Sequence, residues 1–191
     1  MDINSIKSQF PLFNKKIKDK QLVYLDSSNS SQKPLSVLKS LDNFYKSEFS
    51  NIGRSIHSLS VNATNKFEET RESVKNFINA KFKEEIIFTK NATEAINLVA
   101  TTFGQQNIKK GDEILITELE HHSNYVPWHY LRETKGAVIK FAPINDDGDI
   151  IIDKFKELIT SKTKIIAITH LSNVTGTIVP IKELEEIAKK K

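Results

Sequence analysis

The sequence has no cysteine, and it has only six glycines, five prolines and one tryptophan among its 191 residues. Without cysteine, these residues cannot hold a disulfide bond, a cysteine-ligated zinc or iron–sulfur site, or a cysteine nucleophile of their own. No stretch of about 18 apolar residues occurs, so no transmembrane helix is expected. Residues 1–20 are mixed and charged in composition and lack the continuous apolar segment of a signal peptide. We therefore expect a cytoplasmic protein.

An excess of charge of one sign is also missing. The 28 basic and 24 acidic residues are interspersed, and the formal net charge is only +4. The basic run Lys189–Lys191 is too short to indicate nucleic-acid binding. Apolar residues make up 38% and charged residues 27% of the chain, which is low in apolar content for a globular protein but too apolar and too patterned for a disordered one. Neither a nucleic acid nor a membrane is expected as a partner.

The apolar pattern predicts alternating strands and helices. Apolar side chains at helical spacing predict helices over residues 34–47, 61–80, 92–103, 124–134 and 153–160, and from Pro180 onward. Short runs rich in β-branched and aromatic residues predict strands over residues 22–25, 85–89, 113–117, 137–141 and 164–169. This alternation favours an α/β fold in which helices cover a mainly parallel sheet.

In such a sheet, the loops at the carboxyl ends of the strands build the ligand site. The candidate ligand-binding loops are therefore 26–33, 90–94, 118–124 and 170–176. In loop 90–94, Asn91 can cap the next helix and Glu94 stands at the capping-box position. The N–H groups at such a helix start, with the Thr93 hydroxyl, suit a phosphate group. An ordinary helix cap remains the alternative.

Histidines mark the loop 118–124. His121 and His122 are adjacent, so they point in different directions in an extended chain and chelate poorly together. A metal site with Glu120 and His129 is conceivable, but the HEXXH spacing of metalloproteases is absent, and no metal is predicted. Stacking of a histidine on a planar ligand, or acid–base chemistry, fits the pattern better. A surface histidine remains the alternative.

Two further segments carry polar groups. Asn173 offers a donor and an acceptor after a strand, and Gly176 permits a tight turn; a polar loop is the alternative. Arg54 and His57 share a predicted loop, where the guanidinium could bind a carboxylate or phosphate and the imidazole could transfer a proton. A plain loop is again the alternative.

Taken in order, these segments resemble the SufS-type (group II) cysteine desulfurases and selenocysteine lyases. That group belongs to the class-V aminotransferase-like enzymes of fold type I, which depend on pyridoxal 5′-phosphate. The most specific match is the string from Glu120 to Trp128. The other matching segments are 24–26, 32–34, 54–64, 85–89, 93–100, 111–114 and 170–177.

The resemblance implies a role for each loop. Ala92 and Thr93 correspond to the site of the cofactor phosphate. His121 corresponds to the residue that stacks on the pyridine ring and takes part in proton transfer. Asn173 corresponds to the residue beside the phenolic oxygen of the cofactor and the substrate. Asn29, Arg54 and His57 correspond to substrate-side or active-site loop positions.

The resemblance also implies an activity and an architecture. The family converts L-cysteine, or L-selenocysteine, to L-alanine, while a protein cysteine takes the sulfur as a persulfide and passes it to an acceptor protein for iron–sulfur cluster assembly. Its members form homodimers. The implied fold is a three-layer α/β/α arrangement. Residues 1–33 would be an N-terminal segment with the first substrate-side loop, and residues 34–191 the N-terminal part of the cofactor-binding large domain.

The chain departs from the family pattern in several places. The cofactor lysine, the nucleophilic cysteine and the substrate-binding arginine lie further along in the family, and no lysine stands in the matching position here. Asn29 stands among serines where the family has small alanines, Gly53-Arg54-Ser55 replaces His-Arg-Gly, and Ala92 replaces a threonine. The 191 residues are therefore expected to be inactive in isolation.

Two other functions remain open at this point. A shortened, non-catalytic relative could act as a binding module or have no function. A different class-V enzyme, such as a kynureninase or an aminotransferase, is the other possibility, although the string Glu120–Asn124 argues against it.

Overall fold

The computed structural model describes residues 2–191, and Met1, where the predicted segment 1–33 begins, lies outside the described residues. The chain divides into two compact units, Met1–Phe88 and Thr89–Lys191. None of the helices described for residues 2–191 combines the length and the apolar character that crossing a bilayer requires.

The N-terminal unit is mainly helical and carries one small hairpin. Its helical segments are α1 Ile3–Ser8, a 3₁₀ turn Pro11–Asn14, α2 Leu35–Asn43 with its π-helical continuation Phe44–Glu48, α3 Ser58–Phe77 and a 3₁₀ turn Lys83–Glu85. The hairpin pairs the antiparallel strands β1 Lys16–Ile17 and β2 Lys20–Gln21.

Arg71 organises the end of this unit. Its guanidinium carbon lies 5.1 Å from the centre of the Phe67 ring and 5.2 Å from that of Phe88, within the range of cation–π attraction. The same guanidinium donates a hydrogen bond to the backbone oxygen of Ile86. Arg71 therefore ties the segment before Thr89 to the middle of α3.

The C-terminal unit alternates helices with parallel strands. Its elements are α4 Ala92–Val99 with a π-helical turn Ala100–Gly104 and α5 Gln105–Asn107, β3 Glu113–Thr117, a 3₁₀ turn His122–Asn124, α6 Val126–Lys135, β4 Val138–Ala142, α7 Ile152–Leu158, β5 Thr163–Ala167 and α8 Ile181–Lys189. The strands form one sheet in the order β4-β3-β5, with both pairings parallel.

Two apolar clusters cover the two faces of this sheet. All five residues of β3 are buried, and successive side chains alternate between faces. Leu115 belongs to a cluster with Phe155 of α7 and Leu184 of α8. Ile114 and Ile116 belong to the other cluster, whose further buried members are Ala100, Ile108, Trp128, Leu131 and Ala137. The predicted α/β fold, with helices on both sides of a parallel sheet, is confirmed.

The structure corrects two predicted strands. Residues 22–25 and 85–89 form no strand; Glu85 ends the 3₁₀ turn Lys83–Glu85, and residues 86–89 follow it without strand pairing. Ile86 does have an extended backbone, with φ −92° and ψ 113°. A strand also needs a neighbour that completes its hydrogen-bond ladder, and the described residues provide none for these two segments. The other predicted strands and helices are confirmed, with ends shifted by a few residues.

Candidate cofactor site

The start of α4 carries the predicted phosphate-binding groups. The Asn91 side chain caps the helix, because its Oδ1 accepts a hydrogen bond from the Glu94 backbone N–H at 2.9 Å. The Glu94 carboxylate accepts in turn from the Lys90 backbone N–H at 2.6 Å. Within residues 2–191, the N–H groups of Ala92 and Thr93 and the Thr93 hydroxyl donate to no protein group. Three donors therefore stand together at the positive end of a helix, where an anion is favoured.

His121 lies in the loop that follows β3, and its ring is exposed. Its Nδ1 is 3.1 Å from the backbone N of Ser123 and 2.9 Å from the Ser123 Oγ. Because a backbone N–H can only donate, Nδ1 is an acceptor and the neutral ring carries its proton on Nε2. The local turn thus orients the imidazole and leaves the Nε2–H edge available to a ligand.

Three hydrogen bonds to Glu120 hold this loop in place. Its Oε1 accepts from the Thr117 hydroxyl at 2.6 Å and from the Thr169 backbone N–H at 3.0 Å. Its Oε2 accepts from the Asn124 side-chain amide at 2.6 Å. The Trp128 indole N–H donates to the Asn124 backbone oxygen at 2.9 Å. We call Glu120 with Thr117, Asn124 and Thr169 the Glu120 clasp.

Asn173 lies in the loop that follows β5, and its exposed side chain bonds to no group within residues 2–191. The loop is anchored beneath it by buried Ser172, whose Oγ accepts from the N–H groups of Val174 and Thr175 at 3.3 and 3.2 Å. Gly176 has φ +74°, so the tight turn that the sequence predicted is present. The Asn173 amide is therefore presented to solvent by a supported loop.

The elements that carry these groups meet at one end of the sheet. The loops after β3 and β5 both leave the carboxyl edge, and the clasp joins them through Thr169. Helix α4 contacts the 3₁₀ turn that follows His121. The structure therefore brings the elements carrying Thr93, His121 and Asn173 together, as the loop argument predicted.

The remaining candidates belong to the N-terminal unit. His57 is the N-cap of α3, with its Nδ1 accepting from the Ser60 N–H at 3.3 Å. Arg54 is exposed, and within residues 2–191 its side chain makes no hydrogen bond or ion pair. Asn29 is exposed in a turn, where its amide lies 3.5 Å from the Asp26 carboxylate. His57 therefore has a structural role as a cap, and the other two present polar groups to solvent.

The conceivable metal site around Glu120 and His129 does not form. Both Glu120 oxygens are already engaged in the clasp, and the His129 ring packs edge-on against Tyr125 with centres 4.5 Å apart. Among residues 2–191, no group of three or more His, Asp or Glu side chains is arranged to hold a metal ion.

Sequence reasoning missed the structural role of Glu120 and of Ser123. Glu120 was considered only as a metal ligand, because its partner Thr169 is 49 residues away in the chain. Ser123 had a detectable signal, since a side chain two residues before a serine can accept from the serine backbone N–H in a turn.

Comparisons with known proteins identify the family. The family described as aminotransferase class-V matches residues 23–191. A probable cysteine desulfurase of Halalkalibacterium halodurans is 46% identical over 188 residues, which are 98% of this chain and 46% of that protein. One of Staphylococcus aureus is 48% identical over 175 residues, 92% of this chain and 42% of that protein. The chain thus spans a little under half the length of these curated relatives.

Solved structures give the same answer. The apo cysteine desulfurase of Thermococcus onnurineus superposes with a TM-score of 0.90 at 36% identity, over 100% of this chain and 45% of that one. The cysteine desulfurase CsdA of Escherichia coli superposes with a TM-score of 0.83 at 32% identity, over 100% of this chain and 46% of that one. Enzymes of this class depend on pyridoxal 5′-phosphate. The chain therefore belongs to the aminotransferase class-V family, in which the curated relatives named above are probable cysteine desulfurases and the two solved structures are cysteine desulfurases.

Proposed function

We propose that this chain supplies part of the cofactor site of a pyridoxal-phosphate-dependent cysteine desulfurase of the SufS type. The observation that carries the proposal is the set of three donors at the start of α4, on an element that contacts the turn after His121. When bound, pyridoxal phosphate supplies an electron sink for the bonds broken at the amino acid. The donor set fits its phosphate, which is a dianion that accepts several hydrogen bonds.

Each candidate residue has a separate task in this proposal. The N–H groups of Ala92 and Thr93, with the Thr93 hydroxyl, hold the phosphate. His121 stacks on the ring and holds a proton at Nε2, because its Nδ1 is occupied as an acceptor. Asn173 offers its amide to the phenolic oxygen. The support for these tasks is the exposure of all three side chains, together with the contacts that join the elements carrying them.

The proposed substrate is L-cysteine or L-selenocysteine, and the products are L-alanine and a protein-bound persulfide. The carbon–sulfur bond of the substrate breaks, and a thiol of the enzyme takes the sulfur, which an acceptor protein then receives for iron–sulfur cluster assembly. The 191 residues contain no cysteine. We therefore propose that they form no persulfide on their own and act within a homodimeric enzyme that provides the thiol.

We assign Asn29, Arg54 and His57 to substrate-side or active-site loop positions of the whole enzyme, as the family resemblance implies. The guanidinium of Arg54 is able to pair with a carboxylate, and its lack of a partner within residues 2–191 supports this assignment. Residues 1–33 are proposed as the N-terminal segment and residues 34–191 as part of the large cofactor domain. The cytoplasmic location stays a prediction.

The test of cofactor binding compares two ligands that differ only in the phosphate. Pyridoxamine 5′-phosphate and pyridoxamine lack the aldehyde, so neither reacts with the many lysines of the chain. In calorimetric titrations of the natively encoded protein, meaning the protein as its native gene encodes it, pyridoxamine 5′-phosphate should bind at least about tenfold more tightly than pyridoxamine. A tenfold difference in affinity corresponds to the loss of one charge-assisted hydrogen bond. Thr93→Val should remove much of that difference.

Thr101→Val is the matched control for this titration. Thr101 lies further along the same helical segment, and its hydroxyl donates to the Asn97 backbone oxygen at 2.8 Å. It should leave the preference for the phosphate ester unchanged. Equal affinities for the two ligands, or equal effects of the two substitutions, would contradict the proposal.

The non-catalytic alternative is tested by alanine release from L-cysteine. The natively encoded protein should release alanine, whereas the 191 residues expressed alone should not. Phosphate-ester binding without alanine release by the native protein would instead favour a binding module. Release of anthranilate from kynurenine, or amino transfer to a keto acid, would favour another class-V enzyme.

A further inference from the structure

We propose that Glu120 is a positioning residue that fixes the His121 loop relative to the Asn173 loop. This inference rests on the proposed function for its catalytic meaning, although the coupling itself is a property of the fold. Glu120 contacts neither loop's exposed functional side chain. Its carboxylate bonds to Thr117 and Asn124, on either side of His121, and to the Thr169 backbone N–H, where the chain enters the Asn173 loop.

Thr169 lies just past the end of β5. β5 ends at Ala167, so the Thr169 N–H lies beyond the strand pairing with β3. Its partner in the structure is the Glu120 Oε1 at 3.0 Å. The Thr169 hydroxyl then donates to the Leu171 backbone oxygen at 3.0 Å. Beyond the last backbone pair of β3 and β5, the hydrogen bond to Glu120 therefore holds the chain where it enters the Asn173 loop.

The second carboxylate oxygen of Glu120 holds the loop that carries His121. Glu120 Oε2 accepts from Asn124 Nδ2, at the end of the 3₁₀ turn that follows His121. The Trp128 indole N–H, which can only donate, favours this orientation of the Asn124 amide: it lies 3.2 Å from the Asn124 Oδ1 and 2.9 Å from the Asn124 backbone oxygen, to which it also donates. Trp128 is 2% exposed. A buried anchor thus biases which atom Asn124 presents to Glu120.

A carboxylate at position 120, and not an amide, can accept from all three donors of the clasp. All three partners donate to Glu120, and two of them, the Thr169 N–H and the oriented Asn124 amide, cannot accept in this arrangement. In Glu120→Gln, either orientation of the new amide sets one donor against another. Glu120→Gln should therefore break one of the two links.

An exchange of the two side-chain types should restore both links. In the double variant Glu120→Gln with Asn124→Asp, the new amide oxygen accepts from Thr169 and the new amide nitrogen donates to the carboxylate at 124. The Trp128 indole still donates to that carboxylate. In Asn124→Asp alone, two carboxylates meet at the 2.6 Å contact. Their repulsion should disrupt the links more than Glu120→Gln or the double variant does.

The experiment reads amide hydrogen exchange in the natively encoded protein. Glu120→Gln should lower protection at Thr169, and also at Ser172, whose N–H donates to the Thr177 oxygen and does not touch Glu120. Affinity for pyridoxamine 5′-phosphate should fall about tenfold, as for one lost bond to a charged group. The exchange double variant should recover the protection and the affinity.

Glu113→Gln is the matched control. Like Glu120, Glu113 is a hydrogen-bonded carboxylate. It is the first residue of β3, whereas Glu120 lies in the loop after the other end of that strand. It should reduce stability and leave the ligand affinity unchanged, so a general loss of stability is distinguished from loss of positioning.

The outcomes separate the two proposals. Unchanged protection at Ser172 in Glu120→Gln, failure of the exchange variant to recover, or an equal loss of affinity in Glu113→Gln would overturn the positioning role. If the wild-type protein binds no pyridoxamine 5′-phosphate, the proposed function fails, while amide exchange still decides the coupling. If Glu120→Gln does not fold, a folded exchange variant with wild-type protection supports the clasp, and an unfolded one overturns it.

Discussion

Glu113 and Lys140 form a largely buried ion pair between neighbouring strands, with Lys140 Nζ 2.8 Å from Glu113 Oε2. The Glu113 side chain is only 11% exposed. The same carboxylate oxygen accepts from the hydroxyls of Thr160 and Thr163 at 2.6 and 3.2 Å. The ion pair therefore joins β3, β4 and the segment that enters β5, at the opposite end of β3 from His121.

The first prediction concerns acid stability. Burial by itself would raise the pKa of the Glu113 carboxyl, but hydrogen bonds from Lys140, Thr160 and Thr163 and the Lys140 charge outweigh it, and the pKa lies below its ordinary value of 4.5. A lowered folded-state pKa gives stability that is present above the unfolded value and is lost as pH falls through the folded value. The free energy of unfolding of the wild-type protein, measured with urea, should therefore fall below about pH 4.5.

Glu113→Gln should remove this component of the acid dependence. At neutral pH it should cost about 1–3 kcal/mol, because it weakens the hydrogen bonds of a buried group. Glu133→Gln, at a side chain 70% exposed, is the control and should cost less than about 0.5 kcal/mol. An unchanged slope of stability against pH in Glu113→Gln would contradict this account.

The second prediction separates helix capping from phosphate binding at Asn91. Asn91→Ala should cost about 1 kcal/mol of stability, because the Glu94 N–H loses its acceptor. Asn91→Asp should keep the cap and gain a favourable interaction with the helix dipole. The added negative charge should nevertheless weaken pyridoxamine 5′-phosphate binding by about tenfold. Thermal unfolding and calorimetry on the same samples measure both effects, and a rise or fall of both together in Asn91→Asp would count against a phosphate site here.

The third prediction concerns the close approach of Gly104 to Leu131. A Cβ at Gly104 would lie 2.6 Å from Leu131 Cδ1, and Leu131 is fully buried. Alanine is the better helix former by about 1 kcal/mol, but the overlap should cost about 1–3 kcal/mol, so Gly104→Ala should be destabilising overall.

A double-mutant cycle checks this third prediction. Leu131→Ala alone should cost about 2–5 kcal/mol by leaving a cavity. Combined with Gly104→Ala, it should cost less than the sum of the two, because the new methyl group occupies part of the vacated space. Strictly additive free energies of unfolding would show that the two side chains do not meet.

The fourth prediction concerns the tautomer of His121. Because its Nδ1 accepts from the Ser123 backbone N–H, the neutral imidazole should carry its proton on Nε2. The ¹⁵N chemical shifts and long-range ¹H–¹⁵N couplings of labelled histidine distinguish the two nitrogens. Ser123→Ala removes the hydroxyl contact at 2.9 Å and keeps the backbone donor, so the tautomer should not change. A proton found on Nδ1 would contradict the proposed orientation of the ring.

Local sequence patterns predicted most of the C-terminal unit. The apolar run of β3 and the helical spacing of α4 and α6 each reflect neighbours within a few residues, and these elements are confirmed. The cap formed by Asn91 and Glu94 was predictable for the same reason, since both partners lie in one turn. The placement of the ligand loops followed from a general rule of parallel sheets.

Local patterns failed where the outcome depends on a distant partner. Residues 22–25 and 85–89 have the composition of strands, but composition cannot supply a neighbouring strand, and none pairs with them among residues 2–191. The Glu120 clasp shows the same limit from the opposite direction. Its link to Thr169 spans 49 residues, so no window along the sequence contains it.

The sequence by itself therefore determined the fold class and the family, and it predicted which residues would serve a cofactor site. Hydrophobic periodicity and short motifs are properties of adjacent residues, and they survive without knowledge of the rest of the chain. Only the tertiary structure decided which strands pair, which nitrogen of His121 accepts, and that Glu120 joins two ligand loops. Those features depend on hydrogen-bond partners that folding brings together from separate parts of the chain.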